Sequence, residues 1–174
     1  MLEGKKLILR ALEPTDVDVL FEWENDEKLW YLSNTIAPFS RFTLEQYILN
    51  VHQDIYTTKQ LRLMIDKKEP DGNNLIGSID LFDFDPTNKR AGLGVLIIEN
   101  ERSKGYASEA LDLLINYCFT TLQLHQVYCN ISADNQASLK LFEKQNFSMV
   151  GQKKEWLFID GKWVDENILQ LINT

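Results

Sequence analysis

Apolar and polar residues alternate along the first part of the chain in patterns typical first of a strand and then of helices. The segment from Leu7 to Leu12 has a period of two, which predicts a strand. Pro14 to Asp16 supplies helix-start residues, and the apolar positions that follow repeat at helical spacing. Thr43 with Gln46 three residues later forms a capping-box pattern, so a second helix is predicted from there towards Ile55.

The rest of the chain predicts further strands and two more helices. Turn residues around Gly72 and Asn88 separate the next strands, which should form an antiparallel meander. An amphipathic helix from Tyr106 to Thr121 leads into another apolar strand, which predicts a right-handed parallel crossover. A last helix should begin at Asn135 and stop near Asn146. The predicted strands are Gln60 to Asp66, Leu75 to Phe84, Ala91 to Ile98, Gln126 to Ile131, and a hairpin of Lys153 to Ile159 and Val164 to Ile172 around Asp160-Gly161.

Composition fits one globular unit, and the predicted strands and helices place that unit in the α/β (α+β) class. The 174 residues are 44% hydrophobic, which is enough for a core, and they contain no long uncharged apolar span. We therefore expect residues 1–174 to form a single domain without a membrane partner. The first residues lack the apolar segment of a signal peptide, so a cytoplasmic location is expected.

The charge balance narrows the class of partner. The chain has 26 acidic and 18 basic residues, a net charge of −8. A nucleic-acid-binding protein would be expected to carry a basic face, so no nucleic-acid partner is predicted. The negative charge favours a cationic acceptor, although it also serves solubility, and both explanations stay open.

Cysteine and histidine give no sign of a metal site or of a covalent intermediate. Cys118 falls in the amphipathic helix and Cys129 in an apolar strand, where reduced core cysteines are common. His52 and His125 share no ligand spacing with cysteines or carboxylates. We predict no metal and no acyl-cysteine.

The segment from Arg102 to Ala107 is a basic turn between a strand and a helix, and it predicts a phosphate site. The first amides of the helix lack internal partners and lie at the positive end of its dipole. Gly105 lets the backbone approach an anion closely, and Arg102 and Lys104 add positive charge. The alternative is a basic loop that merely starts a helix. Neither a P-loop nor a three-glycine dinucleotide motif is present, so ATP and NAD are not expected.

The spacing Arg/Gln-x-x-Gly-x-Gly/Ala, matched by Arg102, Gly105 and Ala107, resembles the pyrophosphate loop of the GNAT N-acetyltransferases. The predicted order of elements is also that of the GNAT fold. The resemblance implies a mixed, mostly antiparallel seven-stranded sheet with a central parallel strand-helix-strand crossover and flanking helices. It also implies acetyl-CoA as co-substrate and a homodimer or larger assembly.

A second stretch supports the resemblance. Asn135-Gln136-Ala137-Ser138, followed by Phe147 and Gly151, is similar to the family's Asn-x-x-Ser helix and the turn after it. Asn146 replaces the usual glycine, and asparagine tolerates the left-handed conformation needed there.

The resemblance assigns the coenzyme to three parts of the chain. Backbone groups of the strand before the loop would contact pantetheine and acetyl, and the loop with the first helical turn would hold the pyrophosphate. Asn135 would bridge to the coenzyme or cap its helix, and the Ser138 hydroxyl would reach the sulfur or face solvent. The implied coenzyme-binding residues are Val95, Leu96, Ile97, Arg102, Ser103, Lys104, Gly105, Tyr106, Ala107, Ser108, Asn135 and Ser138.

Acetyl transfer to an amine also requires an oxyanion donor, an acid and a base. An alkylammonium with a pKa near 10 leaves only about one molecule in a thousand neutral at pH 7, so a base is useful. The backbone N–H of Leu96 or Ile97 would hold the oxyanion. Phe142 stands where many relatives carry a tyrosine that acts as the general acid. This leaves Ser138 or water to donate the proton.

The base is less well defined. The glutamate common in the strand before the loop is missing, because Ala91-Gly92-Leu93 occupies that region. The remaining candidates are Glu155, which we favour, Asp80 and Asp83. The acceptor groove would be framed by segments that carry all four tryptophans, namely Trp23, Trp30, Trp156 and Trp163.

Trp30-Tyr31, together with Asp160 to Asp165, resembles the branch that contains spermidine and ribosomal-protein N-terminal acetyltransferases. The predicted activity is transfer of acetyl from acetyl-CoA to a primary amine, in a polyamine such as spermidine or at a protein N-terminus. Direct attack in a ternary complex is expected. The alternative is a non-catalytic acyl-CoA-binding sensor or scaffold, and amino sugars and aminoglycosides also remain possible acceptors.

Overall fold

A single sheet runs through the chain in the computed structural model, which describes residues 1–33, 35–50 and 54–174. Helices flank the sheet. Four of the six in the described residues follow the predicted order, and Trp30–Ser33 and Ile55–Thr58 are short additional helices. The strands are β1 (Leu2–Glu3), β2 (Leu7–Ala11), β3 (Leu61–Lys67), β4 (Asn74–Asp85), β5 (Arg90–Ile97), β6 (Gln126–Ser132), β7 (Ser148–Ile159) and β8 (Lys162–Ile172). The helices are α1 (Val17–Glu24), α2 (Trp30–Ser33), α3 (Arg41–Asn50), α4 (Ile55–Thr58), α5 (Tyr106–Thr120) and α6 (Gln136–Lys144).

The strand order is β1-β2-β3-β4-β5-β6-β8-β7, and β5 with β6 is the parallel pair in an otherwise antiparallel sheet. This confirms the predicted mixed sheet with its crossover through α5. The described residues form eight strands rather than seven. The additional strand is β1, which pairs Leu2 with Leu9 and is too short to produce a periodic sequence pattern.

Side chains of successive strand residues point to opposite faces, so the sheet packs on two hydrophobic layers. One face, which we call the α5 face, packs Ile79 and Leu93 against Leu111 of α5 and Phe142 of α6. The other, the α1/α3 face, packs Met64 with residues of α1 and α3 that include Leu20, Leu44 and Ile48. The central strands are therefore apolar on both sides, except where a site interrupts them.

Two predicted boundaries differ from the structure for physical reasons. Helix α3 begins at Arg41 rather than Thr43, because the Ser40 hydroxyl oxygen accepts a hydrogen bond from the Thr43 N–H at 3.0 Å and caps the helix. The predicted continuation towards Ile55 crosses residues 51–53, which lie outside the described residues together with His52. Strand β7 begins five residues before Lys153, because register shifts at Met149 and Lys153 disturb its alternation.

The predicted turn residues have the expected backbone. Asp160 and Gly161 both have positive φ, at 48° and 77°, as the two-residue hairpin between β7 and β8 requires. Asn146 has φ 65°, which confirms the left-handed residue after α6. None of the helices in the described part of the chain is long and apolar enough to cross a membrane.

Candidate active site

The site begins where the central parallel strands separate. Strands β5 and β6 pair from Arg90–Gln126 to Gly92–Tyr128 and no further. Beyond that point, β5 still pairs with β4 as far as Ile97, and β6 still pairs with β8 as far as Ser132. A V-shaped gap therefore opens between the carboxyl halves of β5 and β6, the position at which parallel sheets place their ligands.

Backbone groups of β5 point into this gap. The Ile98 N–H donates to the Ile76 carbonyl at 2.9 Å, which sets the alternation of the β4–β5 ladder. Leu96 therefore directs its N–H towards β4, whereas Val95 and Ile97 direct theirs into the gap. Of the two predicted oxyanion donors, Leu96 and Ile97, the geometry therefore favours Ile97. It also makes the Val95 N–H a candidate donor.

The loop that follows β5 has the backbone of an anion cradle. Ser103 and Gly105 both have positive φ, at 61° and 86°. Gly105 is the N-cap of α5 and has no side chain to occupy the first free amides. An added Cβ at Gly105 would meet nothing within 4 Å, so the space in front of these amides is open. The predicted phosphate loop is therefore both uncapped and accessible.

Ion pairs and hydrogen bonds fix this loop to the neighbouring residues. Glu101 is buried and accepts from Lys67 Nζ and Lys104 Nζ, each at 3.0 Å. These two lysines hold the pKa of the Glu101 carboxyl below its usual value. Arg102 Nε donates to the Ile97 carbonyl at 2.9 Å. Of the two predicted cationic side chains, Arg102 thus fixes the loop to the end of β5, and Lys104 fixes it to Glu101.

A cleft of about 540 Å³ passes through the gap and reaches both sides of the sheet. Residues that point to the α5 face line one part of it, including Val95, Cys129 and Phe142. Residues of the α1/α3 face line the other part, including Phe82 and Ser132. The cleft therefore connects the side that carries the phosphate loop with the side covered by α1 and α3.

Acidic side chains dominate the charge of the cleft. The lining includes the carboxylates of Glu24, Asp80, Asp83 and Glu166 and the guanidinium of Arg62. Arg62 pairs with Asp80 and Glu24. Glu166 accepts a hydrogen bond at 2.7 Å from Lys153, a residue that does not line the cleft.

Asp83 differs from the other lining carboxylates, because it accepts its hydrogen bond from the uncharged Tyr128 hydroxyl at 3.1 Å. Burial, with a smaller contribution from Asp83, raises the pKa of Tyr128 to about 12, so this hydroxyl stays protonated. Asp83 is therefore the lining carboxylate best placed to receive a cation from outside.

The helix after β6 brings three predicted positions to the cleft. Asn135 Oδ1 accepts from the Ser138 N–H at 3.1 Å, so Asn135 caps α6 while also lining the cleft. Ser138 is half-buried and lines the cleft too. Phe142 lines the wall and packs edge-to-face on Phe147 with 5.0 Å between ring centroids.

Glu155, the carboxylate favoured from the sequence as base, lies apart from this lining. It is exposed on β7, at an irregular position with φ 47°, and its N–H donates to Asp165 Oδ1 at 2.8 Å. Asp80 and Asp83, the two other sequence candidates, do line the cleft. The geometry therefore favours these two over Glu155.

The four tryptophans do not form one wall. Trp23 lines the cleft, and Trp30 supports it because its Nε1 donates to the Glu24 carbonyl at 2.9 Å. Trp156 and Trp163 are 58% and 62% exposed on the β7–β8 hairpin and lie outside the lining. The side chain of Tyr31 lies outside the described part of the structure.

The thiols and the metal-binding residue types complete the description. Cys118 and Cys129 are buried and free, and burial raises the pKa of each thiol to about 12, so neither is an activated nucleophile. No group of three His, Cys, Asp or Glu side chains within residues 1–33, 35–50 and 54–174 could hold a metal ion. That no metal is needed stays a prediction.

Several functional candidates were missed from the sequence. Arg62, Glu24 and Tyr47 line the cleft, yet each lies in an ordinary amphipathic element with no local motif. Ser132 lines it as well, with a buried hydroxyl that has no hydrogen-bond partner in the structure. Only the folded sheet brings these side chains together.

Comparison with known proteins gives consistent results. Residues 6–148 match the acetyltransferase (GNAT) domain family. The uncharacterized N-acetyltransferase p20 of Bacillus licheniformis is 30% identical over 172 residues, which cover 98% of this chain and 95% of that protein. The spermidine N(1)-acetyltransferase of Vibrio cholerae is 24% identical over 174 residues, with 98% and 95% covered. A crystal structure of a Vibrio cholerae spermidine N-acetyltransferase with CoA and spermine has a TM-score of 0.86 at 24% identity, covering 97% of this chain and 96% of that one.

Proposed function

Because the chain belongs to the GNAT family and is an N-acetyltransferase, we propose that it acetylates a primary amine of a small polyamine such as spermidine, with acetyl-CoA as donor. The observation that carries this proposal is the acidic cleft that crosses the sheet at the gap between β5 and β6. A polyamine is a flexible chain of cations, and four lining carboxylates against one guanidinium suit such a ligand. The spermidine acetyltransferases among the relatives support the same class of acceptor.

Acetyl-CoA binds, in this proposal, from the side of the phosphate loop. The pyrophosphate accepts hydrogen bonds from the amides of residues 102–108, and the dipole of α5 favours its charge. The pantetheine chain follows the backbone N–H groups of Val95 and Ile97 into the gap. The structure of the Vibrio cholerae relative in complex with CoA supports a coenzyme A donor.

Direct attack in a ternary complex is the mechanism that these groups support. The amine nitrogen attacks the thioester carbonyl, and the Ile97 or Val95 N–H stabilises the oxyanion that develops. The thiolate of coenzyme A leaves and takes a proton from the Ser138 hydroxyl or from water, since Phe142 has none to give. Both cysteines are protonated and buried, which disfavours a covalent acyl-enzyme. Most of the rate comes from orienting the two substrates.

A carboxylate of the cleft accepts the proton that the amine must lose. Asp83 is the best placed, because its partner is the neutral Tyr128 hydroxyl while Asp80 is bound to Arg62. Asp83 acts directly or through a water molecule, and it also attracts the ammonium form of the acceptor before the reaction.

The proposal is tested by offering the protein a panel of amines with acetyl-CoA and a thiol reagent. We expect coenzyme A to be released with spermidine, and acetylspermidine to appear in equal amount by mass spectrometry. Release with only an N-terminal peptide or an aminoglycoside would move the acceptor to that class. Tight coenzyme binding without release with any amine would favour the alternative, a sensor or scaffold.

Replacing Asp83 with asparagine should raise the KM for spermidine about tenfold or more, because a hydrogen bond to a charged group contributes about 1.5–3 kcal/mol. A fall in kcat of similar size would add the role of base. Steady-state kinetics measures both quantities. Asp71→Asn, in the exposed turn between β3 and β4, is the matched control and should change neither. Equal kinetics for the two variants would remove Asp83 from the mechanism.

A homo-oligomer stays a prediction, and two features support it. Strand β7 forms the edge of the sheet, and its hairpin exposes Trp156, Phe158 and Trp163. An edge strand with exposed aromatic side chains is a surface on which a second copy can pair.

A further inference from the structure

Arg62 is a cation of the protein inside a cleft that we propose for cations. Its Nε and Nη2 contact Asp80 at 2.7 and 3.3 Å, and its Nη1 contacts Glu24. The guanidinium carbon lies 5.9 Å from the centre of the Tyr47 ring. All four side chains line the part of the cleft next to α1 and α3. Arg62 thus fills a complete cation site made of two carboxylates and an aromatic ring.

The charge on Arg62 is permanent. Burial lowers the pKa of the guanidinium, but Asp80 and Glu24 raise it by more, so that it lies above its ordinary value. The side chains of Arg62, Glu24 and Asp80 are 21%, 18% and 29% exposed, so water screens them only in part. A second cation cannot make the same contacts with Glu24 and Asp80 while the guanidinium lies between them.

The position of the pair is informative. If Arg62 served only to neutralise Glu24 and Asp80, the three groups could lie anywhere beneath α1. Here the three groups form the wall of the cleft, on β3, β4 and the end of α1. A primary or secondary ammonium has the same charge as the guanidinium that occupies this site and, like it, donates N–H hydrogen bonds to carboxylates, although it has fewer donors.

We propose that Arg62 determines acceptor specificity by occupying the place that a distal ammonium of a long polyamine would otherwise take between Glu24 and Asp80. This inference rests on the proposed function. With Arg62 present, the remaining cations of the acceptor bind at Asp83, because Glu166 is already paired with Lys153. The enzyme then gains nothing from additional ammonium groups directed towards α1.

The test compares Arg62→Met with Arg62→Lys across a series of amines of increasing charge: n-butylamine, putrescine, spermidine and spermine. Methionine fills much of the same volume without charge, whereas lysine keeps the cation. We expect the ratio of kcat/KM for spermine over spermidine to rise about tenfold or more in Arg62→Met and to stay near the wild-type ratio in Arg62→Lys. Because the readout is a ratio between acceptors, a general loss of activity does not affect it.

A double variant tests whether the vacated carboxylates cause any increase in spermine preference. Adding Glu24→Gln to Arg62→Met removes one of the two vacated carboxylates, and the spermine preference should fall back towards the wild-type value. The rise in melting temperature with spermine, measured without acetyl-CoA, should follow the same order among the variants. If Arg62→Met does not fold, Arg62→Gln takes its place, since its amide can still donate to Asp80.

The outcomes separate the two proposals. An unchanged spermine-to-spermidine ratio in the uncharged variant would overturn the role of Arg62, even with normal acetylation of spermidine. An equal rise in Arg62→Lys would overturn it as well, because charge would then not be the cause. If the wild-type protein acetylates none of the four amines, the proposed function fails first and the inference falls with it.

Discussion

Valine in place of Gly105 should lower the affinity for coenzyme A and acetyl-CoA by about 100-fold or more. Gly105 has φ 86°, and a β-branched residue in that region is a genuine outlier, so the loop must rearrange. The rearrangement turns the amides at the start of α5 away from the pyrophosphate. Each hydrogen bond to a charged group contributes about 1.5–3 kcal/mol, and the loss of two such bonds accounts for the expected effect. Isothermal titration calorimetry measures it.

The control is Gly161→Val in the β7–β8 turn. Gly161 has φ 77° and, like Gly105, no atom within 4 Å of an added Cβ. Both variants should therefore lose a similar amount of stability, about 1–2 kcal/mol, from the same backbone strain. Coenzyme affinity should be unchanged in Gly161→Val. Tight coenzyme binding retained by Gly105→Val would contradict the phosphate loop itself.

Alanine at Gly77 should cost about 2–3 kcal/mol of the free energy of unfolding and about tenfold in coenzyme affinity. Its Cβ would overlap the Leu96 carbonyl oxygen on the neighbouring strand and approach Ile97 Cδ1 at 3.1 Å. Backbone atoms cannot turn aside as a flexible side chain can, so β5 must move. Because β5 carries the free amides of Val95 and Ile97, the shift should reach the gap. Urea denaturation and calorimetry provide the two measurements.

Gly151→Ala in β7 provides the comparison for this variant. An added Cβ there would lie an ordinary 3.9 Å from Ile168 Cδ1, so little strain is expected. We expect Gly151→Ala to change stability by less than about 0.5 kcal/mol and coenzyme affinity not at all. If the two alanine variants are equally stable, the close packing of β4 on β5 is not the constraint that the structure indicates.

Local sequence patterns predicted those parts of the protein that local physics determines. The parallel crossover follows from a strand, an amphipathic helix and a second apolar strand in succession. The turn at Asp160-Gly161 follows from two residues that tolerate positive φ. The phosphate loop at Gly105 stays a prediction; the structure confirms only that this residue starts α5 with positive φ and free space beside it.

Features that depend on distant contacts could not be predicted. Arg62 meets Glu24 and Asp80 across separations of 38 and 18 residues, and nothing near any of them in the sequence marks the contact. The sequence favours Glu155 from its place on the first strand of the last hairpin, but the register shift between Lys153 and Leu157 leaves it at an irregular, exposed position outside the cleft. The separation of β5 from β6 has no local signal either, since both strands are simply apolar.

The gap between β5 and β6 gives the cleft two openings, one on each side of the sheet. With the donor entering beside α5 and the amine entering beside α1 and α3, neither molecule has to pass the other. In the proposed arrangement, coenzyme A can therefore be released while an acceptor stays bound, and the two substrates can bind in either order. Substrate binding and product release would thus depend on this opening in the sheet and would require no moving gate.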